Sequence, residues 1–172
     1  NTPHSTEDFM RLPKPSIGQA LVSALLSAVF VCSTSQAYVS ASSENVPEFS
    51  AWNALDGSME TRWASAAAGG EEYLQVDLGA LVPLGTIRLY WEHAFAKVYT
   101  VLASADGLSW EALYRQENGQ DGETCIPDTG KMGRYVKILC IQPGPYGLYS
   151  LWEIEFEGRE AAQALQDQRD RR

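Results

Sequence analysis

Beyond residue 37 the chain has one histidine, His93, and two cysteines, Cys125 and Cys140, out of 172 residues in all. A single histidine excludes a His-rich metal centre and leaves any Ser-His-Asp triad to be built on that residue alone. There is no glycine-rich phosphate loop, and the D-x-[DN]-x-[DN]-G spacing of an EF-hand is missing. Basic residues are scarce: residues 38–158 hold 7 Lys/Arg against 17 Asp/Glu, a net charge near −10. A field of that sign repels nucleic acid and anionic lipid, which excludes nucleic-acid binding and disfavours a membrane surface. Neutral or cationic ligands fit better.

A long purely apolar run is missing too. The most apolar stretch lies in "MRLPKPSIGQALVSALLSAVFVCSTSQA", residues 10–37, where Arg11 and Lys14 precede an uncharged apolar stretch from roughly Ile17 to Cys32 and then the small residues Ser35-Gln36-Ala37. That stretch is shorter than the roughly 20 apolar residues a membrane span needs, and it is diluted by Ser, Gly and Gln. The pattern is that of a secretory signal peptide cleaved near Ala37. Residues 1–37 are therefore expected to be a leader and the protein to be extracellular. Export would leave Cys125 and Cys140 in an oxidising compartment. Two readings stay open for them: a disulfide between neighbouring strands, or two small buried thiols.

After the leader no segment keeps a period of 3.6. "YLQVDLG" alternates Leu74, Val76 and Leu78 against Tyr73, Gln75 and Asp77, and "GTIRLYW" alternates Ile87, Leu89 and Trp91 against Arg88 and Tyr90. Both have the period of half-buried strands. "VYTVLASADGLSWEALY" reads as two strands joined at Asp106-Gly107, and "RYVKILCI" and "YSLWEIEFEG" supply two more. In the last, Ser150, Trp152, Ile154 and Phe156 share one face, with Glu153, Glu155 and Glu157 on the other. The expected fold is all-β, a β-sandwich or jelly roll over residues 38–158. Residues 159–172, "REAAQALQDQRDRR", are polar and free of aromatics, and read as a charged tail, a solvated helix or a linker.

"NALDGSMETRW", residues 53–63, has more polar groups than a bare turn requires. The Asp56 carboxylate, the Thr61 hydroxyl and carbonyls turned inward at Gly57 offer several hard oxygens to one point, a donor set that suits calcium. An ordinary Asp-Gly turn is the competing reading. Trp63 is expected to pack in the core beneath it.

Five ordered segments, "ASSENVPEFSAWNALDGSMETRWAS", "EEYLQVDLG", "IRLYWEHAFAKVYTVLASADGLSWEALY", "GRYVKI" and "YGLYSLWEIEFEG", resemble the discoidin or coagulation-factor type C domain family. The resemblance is nearest to its bacterial branch, the family 32 carbohydrate-binding modules, and it covers about residues 38–158. It implies a discoidin-like jelly roll with a structural calcium ion. The implied ligands are the carbonyls of Asn53, Ser58 and Trp152, the carboxylates of Asp56 and Glu153, and the hydroxyl and carbonyl of Thr61.

It also implies a shallow sugar cleft among the loops at one end of the sandwich. Sugars are held by aromatic faces against their C–H surfaces and by charged or amide groups on their hydroxyls. The candidate loops supply Glu44, Arg62, Glu92, His93, Tyr146 and Tyr149. "YWEHAFAKVY" is most similar to members that bind glucan or chitosan-type chains. Glu44 and Glu92 are then placed to take an amino sugar's ammonium by charge-assisted hydrogen bonds. The implied function is a secreted, non-catalytic module for a glucan, a chitosan-type or a galactose-type glycan, alone or attached to a catalytic domain in a longer parent. Two alternatives stand beside it. One is a discoidin-type adhesion domain for a protein or lipid surface. The other is a small glycoside hydrolase whose paired carboxylates, such as Glu44 and Glu92, would flank a scissile bond.

Overall fold

The structure, a computed structural model, describes residues 37–67 and 70–172. The signal-peptide segment ahead of Ala37 lies outside the described residues. Among the described residues nine strands form two antiparallel sheets: β1 (Tyr38–Ala41), β2 (Trp63–Ala64), β3 (Glu72–Pro83), β4 (Ile87–Trp91), β5 (Ala96–Ser104), β6 (Glu111–Gln116), β7 (Gly122–Ile126), β8 (Met132–Pro143) and β9 (Ser150–Phe156). One sheet has the order β1-β3-β8-β5-β6 and the other β2-β9-β4-β7. This is the all-β sandwich expected from the sequence.

The period-2 pattern places the core. Leu74, Val76 and Leu78 of β3 meet Ile87, Leu89 and Trp91 of β4 and Val136, Ile138 and Cys140 of β8 in one buried cluster. Trp63 is fully buried there, and its indole N–H donates to the Ser43 carbonyl at 3.1 Å. The β5–β6 hairpin forms as expected around Asp106-Gly107, with a longer connection. Asp106 Oδ1 accepts the N–H groups of Leu108 and Ser109, and Trp110 stays outside β6.

Three expectations are corrected. Strand β9 does not alternate cleanly. Leu151 pairs with Trp91 and Glu153 with Tyr90, so Trp152 is an extra residue in a bulge. The bulge leaves Trp152 half-buried, while Leu151, Glu153 and Ile154 are all buried. The cysteines form neither a disulfide nor a buried pair. Cys125 is an exposed thiol on β7 and Cys140 a buried thiol on β8, in different sheets.

The third correction concerns the C-terminus. Residues Arg159–Arg169 form a helix, α1, that is part of the domain. Ala161 and Leu165, four apart and hence on one face, are buried in the core cluster. Its entry is made possible by two glycines. A Cβ on Gly158 would lie 2.2 Å from the Pro83 carbonyl oxygen, and one on Gly85 would lie 2.3 Å from the Gly158 nitrogen. Among the described residues no helix is long and apolar enough to cross a membrane.

Candidate functional site

Backbone hydrogen bonds stitch several loops together at one end of the sandwich. Asn45 N–H donates to the Ala64 carbonyl, Ser65 N–H to that of Tyr149, Glu92 N–H to that of Ser150, and Ser150 N–H to that of Ala94. The loops carrying Glu44, Arg62, Glu92 and His93 therefore share one end, as the sequence reading requires.

Their side chains have different fates. Glu44 is exposed, and its Oε1 accepts the Ala51 N–H at 2.7 Å. Arg62 lies close to two aromatic rings, its guanidinium carbon 4.0 Å from the Phe49 centroid and 5.4 Å from that of Trp152. Its Nε is buried with no hydrogen-bond partner among the described residues. A cation over an aromatic face is attracted by the ring quadrupole.

Glu92 and His93 line a cleft of about 280 Å³ together with Met59, Tyr90, Trp91, Asp121, Gly122 and Trp152. Glu92 Oε2 accepts the Ala94 N–H at 2.9 Å, which fixes the carboxylate on its own loop. His93 Nδ1 lies 2.6 Å from Asp121 Oδ2. Tyr146 projects from the β8–β9 loop, 65% exposed.

Tyr149 is not a surface residue. It is fully buried, with its hydroxyl 3.5 Å from the Gly70 carbonyl oxygen. Burial in the core pushes its phenol up to about 12. It belongs to the floor of the loop end, a correction to its expected sugar contact. Conversely, sequence reasoning missed Phe49, Asp121 and the Trp152 side chain as parts of this end. An aromatic directly ahead of Glu153 was the available signal for Trp152; Asp121, in a polar loop between β6 and β7, had none.

Part of the expected calcium loop is knit by its own hydrogen bonds. Asp56 Oδ1 accepts the Ser58 N–H at 2.8 Å, and Oδ2 accepts the Thr61 hydroxyl at 2.6 Å. Asn53 braces the loop by donating its amide to the carbonyls of Glu48 and Arg62. Glu153, at the bulge made by Trp152, is buried, and its Oε2 accepts the Gly57 N–H at 3.0 Å. Burial pushes its carboxyl up to about 7, while Arg169 and the Gly57 N–H pull it down.

The charge at this point comes from the chain itself. Arg169 of α1 donates from Nη2 to Glu153 Oε1 and from Nε to the Leu55 carbonyl, each at 2.7 Å. A dication on the same oxygen would lie within about 5 Å of the guanidinium, given calcium–oxygen distances of about 2.3–2.6 Å. Their repulsion would be on the order of 7 kcal/mol at an effective dielectric near 20. With α1 docked, Glu153 Oε1 is already taken by a cation, and in this arrangement Asn53, Asp56, Ser58, Thr61, Trp152 and Glu153 do not fit a calcium ion.

Comparison with known proteins agrees with the architecture. Residues 38–154 match the model of the F5/8 type C domain. A stretch of 120 residues, 66% of this chain, is 37% identical to the polysaccharide lyase 8 family protein HylA of Enterococcus faecalis, of which it spans only 9%. Among solved structures, chitosan-binding module 1 from a chitosanase/glucanase of Paenibacillus sp. IK-5 is 34% identical, with a TM-score of 0.68 over 73% of this chain and 97% of that one. Module 2 of the same enzyme, solved with chitotriose, is 26% identical with the same TM-score, over 73% of this chain and 98% of that one. With its sandwich and most of its length matched, the chain belongs to the F5/8 type C (discoidin) domain family.

Proposed function

We propose that this domain is a secreted, non-catalytic carbohydrate-binding module whose ligand is a chitosan-type polysaccharide docked at the loop end. The observation that carries the reading is the cleft in which the half-buried Trp152 side chain lies beside the carboxylates of Glu92 and Asp121. Aromatic surface suits the C–H face of a pyranose, and carboxylates suit the ammonium of a glucosamine unit. The net charge near −10 attracts a polycationic chain. Similarity to two chitosan-binding modules supports the same ligand class, and similarity to part of a polysaccharide lyase supports a longer parent with a catalytic domain. Glu44 and Glu92 each accept a backbone N–H from their own neighbourhood, a positioning role that favours binding over hydrolysis.

The test is electrophoretic retardation of the folded protein in gels containing chitosan, chitin, β-1,3-glucan, galactan or a uronate polymer. Glu92→Gln keeps an oxygen for the Ala94 N–H and removes the charge. Chitosan should retard the wild type, and the variant should bind at least tenfold more weakly. Equal retardation by acetylated chitin would remove the ammonium from the account. Retardation by no polysaccharide, with sedimentation on anionic liposomes instead, would replace the reading with an adhesion domain.

A further inference from the structure

We propose that Arg169 is this domain's built-in replacement for the structural calcium ion: the C-terminal helix delivers a guanidinium to the oxygens that close the Leu55–Thr61 loop onto β9. The guanidinium meets a backbone carbonyl of the loop, that of Leu55, and a buried carboxylate of β9, that of Glu153. The Glu153 side chain is 2% exposed and that of Arg169 25%, so the pair is screened from water on the carboxylate side. Gly57 makes the approach possible. At φ +81, a Cβ there would stand 3.3 Å from Arg169 Cζ and Nε, so the bare Cα leaves room for the guanidinium. The opposite carboxylate oxygen takes the Gly57 N–H, so one acid is held by the loop and by the helix at once.

A metal ion closing such a loop would supply positive charge to several oxygens that the chain brings from distant positions. Here one side chain does so covalently tethered, and its two donors reach an early loop and the last strand, 114 and 16 residues away. Arg169 therefore positions the loop that continues into Arg62 and the aromatic rings beside it. It touches no ligand itself.

Thermal melts of the full chain in EGTA and in millimolar calcium test this, with calorimetric calcium titration of the wild type alongside. The wild type should melt at one temperature in both buffers and give no calcium heat. Arg169→Ala, leaving Glu153 buried without its partner, should melt lower in EGTA by on the order of 10 °C. Calcium should restore much of that loss, because the vacated oxygens then face a free cation. Arg169→Lys should fall between, since an ammonium cannot make the same two-pronged contact. A calcium-dependent rise in the wild-type melt, calcium heat in the wild type, an Arg169→Ala protein that melts with the wild type in EGTA, or one that calcium leaves unchanged would each overturn the proposal. If Arg169→Ala does not fold in EGTA, the wild-type titration alone still decides.

Discussion

Tyr149 shows how a single residue's role turns on burial. Its ring fills the floor of the loop end, so Tyr149→Ala should cost about 3–5 kcal/mol of stability, as expected for a large cavity in a core. Tyr149→Phe removes only a hydroxyl whose contact is 3.5 Å long, and should keep both the melting temperature and polysaccharide binding within error. Loss of retardation by a fully folded Phe variant would return the hydroxyl to the ligand site. The two thiols of the sandwich should behave unequally. Burial pushes the Cys140 thiol far up, whereas Cys125 is exposed, so peptide mass spectrometry after brief alkylation should find label on Cys125 and none on Cys140 until denaturant is added. At this scale the sequence was legible for residues with one dominant preference, such as Trp63 in the core. Tyr suits a wet surface and a packed interior equally, so Tyr149 was not legible.

Among the elements, strands with strict alternation could be read directly. Leu74, Val76 and Leu78 and Ile87, Leu89 and Trp91 point inward as their period requires. The β9 bulge could not be read, because one extra residue resets the faces without leaving a Gly or Pro as a marker. Helix α1 escaped for another reason. Only two of its side chains, Ala161 and Leu165, are buried, too few to lift it above a solvated pattern, and its strongest anchor is an arginine. Its entry is sterically exacting. Gly158→Ala would drive a methyl into the Pro83 carbonyl, so the helix should undock and the melting temperature should fall in the same direction as in Arg169→Ala. Calcium should then raise the melt of Gly158→Ala, because Arg169 leaves with the helix. A Gly158→Ala melt equal to wild type would show that the close approach at Pro83 relaxes cheaply.

For the whole molecule, charge was legible from composition alone, and it predicts how binding depends on salt. A polycation meeting a domain of net charge near −10 is steered by a long-range field, which salt shortens to about 10 Å at 0.1 M. Affinity for chitosan should therefore fall by roughly tenfold or more between 20 and 200 mM salt, while binding to a neutral glucan, if any, should not move. A salt-independent chitosan affinity would place the binding energy in the aromatic contacts instead. The site itself was half legible. Its loops were identified, but the cleft depends on Asp121 and on the outward turn of Trp152, and both are set by pairing between distant strands.

Arg172 covers part of the domain's own aromatic surface. Its guanidinium lies 4.1 Å from the centroid of the Trp52 ring. A cation over an indole shields that face from water, so Arg172→Ala should make Trp52 easier to quench with acrylamide while the fold is kept.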